Sequence, residues 1–301
     1  MNRRNAIDRI SEVLIFAVAL VAIAIILLIY IYVGKEAFPL VTGASEGVTL
    51  LSPFSAPYTW QPVSNVPKYN VVPLIAGTLK VTIISMLLAV PLALAAALYT
   101  AEFAPPRLRE WIKPAIELLA GIPSVVLGFF ALMVLATWVQ SFFGVAYRLN
   151  AIVAGIALSF AIIPIIYTVS EDAMMAVPRL YREASLALGA SKGQTAIRVV
   201  LPAAIPGIAA AIVLGFGRAI GETMIVLMVS GNSATLSLDP GLPVRTLSAT
   251  IAAEMAEAVF GGGHYRILFF IGVLLFIITA VLNWIGDRFN RRLRERLFGS
   301  A

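Results

Sequence analysis

Six long apolar stretches leave this chain few folds to choose from. The first runs unbroken from Val13 to Val33, 21 residues, which as a helix is long enough to cross a hydrocarbon core of ~30 Å. In lipid the backbone polar groups have no water to bond, so a spanning segment must be a helix or part of a closed barrel. Unbroken apolar runs exclude the in-and-out alternation of barrel strands. Helical spans are therefore expected over 11–33, 74–102, 115–142, 150–170, 203–230 and 265–287. The second and third exceed what a bilayer needs and are expected to tilt or to extend past it. A soluble fold fails on composition: 60% of residues are hydrophobic and 13% charged, against roughly 45–50% and about 25% in soluble domains. The Asn2-Arg3-Arg4 start imitates a signal peptide, but a signal core is only about 7–15 residues. The first run is expected to be a retained span.

Charge gives the orientation. Fifteen Lys and Arg residues fall on one side, in the N-terminus, the loops after spans two and four, and the tail. Five fall on the other, and Lys80 and Arg218 lie within spans. By the positive-inside rule both termini are cytoplasmic. The net charge of +6 belongs to these loops, and no nucleic-acid partner is expected. The chain has no Cys and a single His, His264, so neither disulfides nor Cys/His metal sites are expected. His264 reads as a polar anchor at the outer interface. Gly34-Lys35 is followed by Glu36, which is no phosphate-cradling loop, and no catalytic signature or cofactor site is visible. The chain reads as a conduit, not an enzyme; if ATP drives it, the ATPase is another chain.

Two outer segments are long. Residues 34–73 hold six prolines and are not expected to form one regular element. Within 231–264, Thr246 to Phe260 reads as a short helix ended by Gly261-Gly262-Gly263.

The cytoplasmic loop after span four is the most specific stretch. Leu180, Ala184, Ala187 and Leu188 share one helix face, and Gly189 is placed to end that helix. A second short helix, Gln194 to Val200, leads to Pro202. The result is a helix–Gly–helix elbow with one apolar face. It is either a connector packed on its own bundle or a docking element for a partner.

Glu183-Ala184-Ser185, Gly189 and Val199-x-Leu201-Pro202 resemble the EAA loop of ABC importer permeases, with Ser185 in place of Ala and Val199 in place of Ile. The resemblance implies a type I, MetI-like fold: an all-α polytopic membrane protein of about six transmembrane helices with a cytoplasmic coupling-helix loop. Arg182, Glu183, Ala184, Ser185, Gly189, Leu201 and Pro202 are then the residues that couple to an ATPase. The stretches Ile116–Phe130, Arg218–Met224 and Ser230-Gly231-Asn232 are similar to the phosphate-specific permeases of PstC type. Implied with them are a PstA-like second permease, a PstB-like ATPase dimer, a PstS-like extracytoplasmic binding protein and inorganic phosphate as cargo. A bacterial or archaeal inner membrane follows. The alternatives are another oxyanion, molybdate or sulfate, or a self-sufficient secondary anion transporter. The implied layout is an N-terminal span with an outer segment (1–73), a permease domain (74–290, coupling loop 171–202) and a cytoplasmic tail (291–301).

Arg218 and Glu222 stand four residues apart and are expected to share a face of span five. Charges at this depth cost roughly 2.5–3.5 kcal/mol each by insertion scales. They either neutralise each other or line the path of an anion, which Arg's planar fork suits. In the resembled family the matching pair is implicated in transport. Gly121-Ile122-Pro123 and Pro164 are expected to interrupt spans three and four, and Ser124, Thr168 and Ser170 would offer neutral donors there. Lys80 is expected to snorkel or to pair with a carboxylate. Ala203, Gly207, Ala211, Gly215 and Ala219 make a small-residue face on span five, suited to close helix packing and, by extension, to contact with a second subunit.

Overall fold

The computed structural model describes residues 3–43, 52–55 and 57–298. Parts of two expected segments, 44–51 of the outer segment and 299–301 of the tail, lie outside them. Six helical stretches are long and apolar enough to cross a membrane: Ser11–Val41, Val72–Phe103, Ser124–Phe143, Ala151–Met175, Lys192–Gly221 and Gly263–Arg292.

The first helix, α1 (Arg3–Val41), runs past the expected end of its span and takes in Pro39. The outer segment then forms a single helical turn, Ser52–Phe54, and a short antiparallel pair, β1 (Trp60–Gln61) and β2 (Lys68–Tyr69), with Trp60 opposite Tyr69. Helix α2 (Val72–Leu98) ends in a π-helical turn, Tyr99–Phe103.

The expected third span divides. Its first part belongs to α3 (Pro106–Ala120), an amphipathic helix with no fully buried residue. Gly121-Ile122-Pro123 separates it from α4 (Ser124–Phe130), which continues through a π turn into α5 (Ala136–Phe143). The Gly-Ile-Pro break therefore marks the start of the third span and not its middle. The sequence hid this because Ile112, Ile116, Leu118 and Leu119 carry the apolar pattern of the span back into α3.

Helix α6 (Ala151–Met175) is the centre of the bundle, packed on α2 and on the fifth span. Its first N–H groups are capped by Asn150, whose Oδ1 accepts from Val153 at 3.0 Å. Pro164 does not interrupt it. Neighbouring helices hold a proline-containing membrane helix in line when they pack on it from two sides. Gly155 lies so close to Ile84 that a Cβ there would collide with it, which fixes the α2–α6 crossing.

The elbow follows: α7 (Arg179–Ala187), then α8 (Lys192–Thr195), a π turn (Ala196–Val200) and α9 (Leu201–Gly221) in one continuous run. The expected separate helix from Gln194 is thus the start of the fifth span. The π turn stands directly before Pro202, where the ordinary helical hydrogen bond is missing. On α9, Gly207 and Gly215 pack against Ala173 and Ile166 of α6. The small-residue face is spent inside the chain. On another face, a Cβ on Gly217 or Gly221 would meet nothing among the described residues.

The fifth span ends at Gly221, Glu222 is extended, and α10 (Met224–Val229) resumes beyond. Helix α11 (Leu247–Glu254) is shorter than the expected Thr246–Phe260 element and stops before the glycine run. Helix α12 (Gly263–Phe298) closes the chain against α1 and α9.

Candidate functional site

The elbow is built by local signals and held by distant ones. Pro178 precedes α7, and Gly189 ends it at φ +85°, a left-handed conformation that glycine adopts without strain. Ser191 then starts α8 with a capping box: its Oγ accepts from the Gln194 N–H at 3.2 Å, and Gln194 Oε1 accepts from the Ser191 N–H at 2.8 Å. Ser185 Oγ and Thr195 Oγ1 are 3.0 Å apart, so the hydroxyl that replaces the family's Ala ties α7 to α8.

Arg182 anchors the elbow to the bundle. Its Nη2 donates to Glu102 Oε1 at 2.7 Å and its Nε to the same oxygen at 3.0 Å. Nη2 also reaches the carbonyl of Met174 at 2.8 Å, and Nη1 that of Val177. A planar fork with several fixed donors can hold a carboxylate and two helix-end carbonyls together; a lysine cannot. The elbow is thereby locked to the ends of spans two and four. Its apolar face remains open: Leu180 is 70% and Leu188 89% exposed, and Glu183 and Ala184 are exposed beside them. Leu201 and Pro202 are half-buried at the start of α9.

A second clamp lies nearby. Glu171, wholly buried at the end of α6, is bonded by Arg109 and by Lys113, the latter at 2.8 Å; Lys113 also meets Asp172 at 2.8 Å. Hydrogen bonds to Asp172 and then to Glu171 hold the Lys113 ammonium well above its ordinary range. This clamp fixes α3 across the end of span four. Arg109, Lys113 and Glu171 carried no signal beyond their positions at the end of a span or in a loop.

In span five the structure brings Arg218 and Glu222 near each other but not into one helix face. Glu222 sits in the break, 8% exposed, with its carbonyl accepting from Ser248 Oγ at 2.8 Å and Oε1 facing the Ile225 N–H at 3.5 Å. Arg218 is 39% exposed. Its Nε donates to the Ala161 carbonyl at 3.3 Å, and its Nη2 lies 4.0 Å from Glu222 Oε2. The Nη groups make no hydrogen bond among the described residues. The carboxylate is fixed and the guanidinium fork is available to an anion. Ser124 begins α4, which packs on α10 through Gly128 against Ile225 and Met228. No hydrogen bond joins it to Arg218 or Glu222 among the described residues. Ser170 is buried with no partner for its Oγ among the described residues.

At the opposite end, one carboxylate gathers the outer elements. Glu254 accepts from Trp60 Nε1 at 3.0 and 3.1 Å and from Arg245 Nη1 at 2.6 Å, and His264 Nε2 lies 3.4 Å away. Tyr69 stacks on His264 with ring centroids 5.8 Å apart. Burial first, and Glu254 second, push the Tyr69 phenol up. His264 is therefore a member of a polar node and not an isolated anchor. Lys80, expected to snorkel or to meet a carboxylate, donates to the backbone carbonyl of Asp239 at 3.0 Å.

Residues 89–295 match the family model described as binding-protein-dependent transport system inner membrane component. A probable ABC transporter permease protein, YqgH, of Bacillus subtilis (strain 168) is 37% identical over 92% of this chain and 90% of its own length. The phosphate transport system permease protein PstC of Mesorhizobium japonicum is 33% identical over 90% of this chain and 88% of its own. Among solved structures, a bacterial alginate ABC transporter in complex with its pentasaccharide-bound periplasmic protein aligns over 95% of this chain and 96% of its own at TM-score 0.66 and 17% identity. An inward-facing MetNI methionine ABC transporter aligns over 74% and 95% at TM-score 0.59 and 20% identity.

Proposed function

This chain belongs to the family of binding-protein-dependent transport inner membrane components, and on that premise we propose that it is the PstC-type permease subunit of an ATP-driven importer of inorganic phosphate. The observation that carries the reading is the elbow. A short helix locked by Arg182 to two spans, with its apolar face uncovered, is shaped to transmit a push from a partner and not to pack on its own bundle. An ABC ATPase dimer is that partner, reached through Arg182, Glu183, Ala184, Ser185 and Gly189, with Leu201 and Pro202 passing movement into α9. The permease domain spans 74–290, and both termini are cytoplasmic, which places the elbow and the basic loops on the side where ATP is.

A second permease of PstA type completes the path, and an extracytoplasmic binding protein of PstS type delivers the ion. Along α9, Leu214, Gly217, Arg218 and Gly221 are open to such a neighbour or to the path itself. Arg218 meets the phosphate there; Glu222, fixed in the break, keeps the hold weak enough for release; Ser124 lies along the same route. The chain itself performs no chemistry. Phosphate is preferred over molybdate or sulfate because of what the PstC relatives are named for transporting.

The test is co-reconstitution with the two permeases, the ATPase and the binding protein in proteoliposomes. ATP-dependent phosphate uptake should exceed sulfate and molybdate uptake and vanish without the ATPase. Arg218→Ala should lower phosphate uptake by about tenfold or more, about 1.4 kcal/mol of lost stabilisation, with the complex still assembled. Normal uptake by that variant removes Arg218 from the path; uptake of only the other oxyanions reassigns the cargo.

A further inference from the structure

A lysine within a membrane span must find a partner, because its uncompensated charge costs about 2.5–3.5 kcal/mol on insertion scales. Lys80 stands eight residues beyond Val72, the first residue of α2, about 12 Å along the helix at 1.5 Å per residue. Its Nζ donates one hydrogen bond, to the Asp239 carbonyl. An ammonium has three N–H donors, so two remain. Among the described residues Lys80 makes no ion pair. Asp239 is next to it and its carboxylate acts on the ammonium through charge, but the two form no ion pair, and the Asp239 Oδ1 accepts from the Gly241 N–H at 2.8 Å.

Lys80 lines a groove of about 670 Å³ between α2 and the loop 236–240, with Leu79, Ile83, Leu236, Leu238 and Ser237 among its walls. Leu238 is 96% exposed at the loop tip. Leu79, Ile83 and Leu87 are all exposed and stand at four-residue intervals, so they form one apolar row along α2 running from beside the ammonium toward the middle of the span. Cation at the head, hydroxyl beside it and an apolar track below is the pattern of an amphiphile. A free hydrated anion gains nothing from the apolar track, whereas an acyl chain does.

We propose that this groove holds a phospholipid, its phosphate on the Lys80 ammonium and the Ser237 hydroxyl, and an acyl chain along Leu79, Ile83 and Leu87. Arg218, Glu222 and Ser124 are not among the residues that line it, and the proposal does not depend on which ion is carried.

The experiment titrates phosphatidylglycerol into the delipidated assembled complex and reads bound lipid by native mass spectrometry, alongside phosphate uptake. Lys80→Ala is expected to weaken retention by about tenfold or more, which is about 1.4 kcal/mol; Lys80→Arg is expected to preserve it. Leu238→Ser, at the exposed tip, should weaken it by roughly threefold and serves where Lys80→Ala fails to assemble. Wild-type retention by Lys80→Ala, or by Leu238→Ser in its place, overturns the proposal. So does a raised half-saturating phosphate concentration with bound lipid unchanged, which would make Lys80 a contact for the transported anion. A complex that moves no phosphate refutes the transport reading and still reports on the groove through the lipid measurement.

Discussion

The two ends of the bundle use carboxylates in opposite ways. At the end expected to face outward, Glu254 alone collects Trp60, Arg245 and His264 from three separate segments. At the end expected to face inward the carboxylates are divided: Glu171 holds α3, and Glu102 holds the elbow through Arg182. The outer node closes a surface, since Glu254 and Arg245 are both more than four-fifths buried. The inner clamps hold helices in place while the apolar face of α7 stays uncovered. One end is finished within the chain and the other is prepared for something that arrives. Stability and function should therefore separate along the axis of the molecule.

The largest stability effect should come from Glu254→Ala. It leaves Arg245 and the Trp60 N–H without their acceptor in a buried site, a loss of about 3–5 kcal/mol, visible as a lower thermal midpoint of the purified protein. A change under 1 kcal/mol would mean that water replaces the carboxylate and that the outer node is not a seal. Glu171→Ala comes next, at about 2–3 kcal/mol, because Arg109 and Lys113 keep about a third of their surface in water and recover part of the loss. This clamp has a pH signature. The Lys113 pKa is raised by folding, so the stability it lends is complete below the unfolded value of about 10.4 and fades as pH rises through the folded value. The gap between wild type and Glu171→Ala should narrow above that pH, and a constant gap to pH 11 would remove Lys113 from the clamp. The smallest stability effect belongs to Leu188→Asp. An exposed position should move stability by no more than about 0.5 kcal/mol, yet ATPase capture in a pull-down should collapse. Retained capture would break the contrast between the two ends.

How far the sequence reached follows from distance along the chain. The apolar runs revealed six spans because lipid imposes length and composition locally. The Gly189 turn was equally legible, since it rests on one residue's backbone freedom. The break at Glu222 was not. Nothing at 222–223 resembles a helix breaker, and the carbonyl of Glu222 is taken by Ser248, 26 residues on. Pro164 misled in the reverse direction, because packing on two sides overrode a strong local signal. Arg218 and Glu222 were found by their cost in lipid, but their relation changed from a shared helix face to a free fork beside a fixed carboxylate. Glu102 on Arg182 and Trp60 on Glu254, 80 and 194 residues away, left no trace that a single sequence reveals.

The position of α1 bears on how the molecule is made. Its principal neighbour is α12, through contacts such as Tyr30 on Phe276 and Tyr32 on Phe269, and the apolar core of its span is otherwise open to its surroundings. A ribosome finishes the last helix long after the first. During all that time α1 must persist as a solitary rod dissolved in lipid, stable by its own backbone hydrogen bonds alone. Its mate is made more than 200 residues later, so this pair joins a segment made early to one made late.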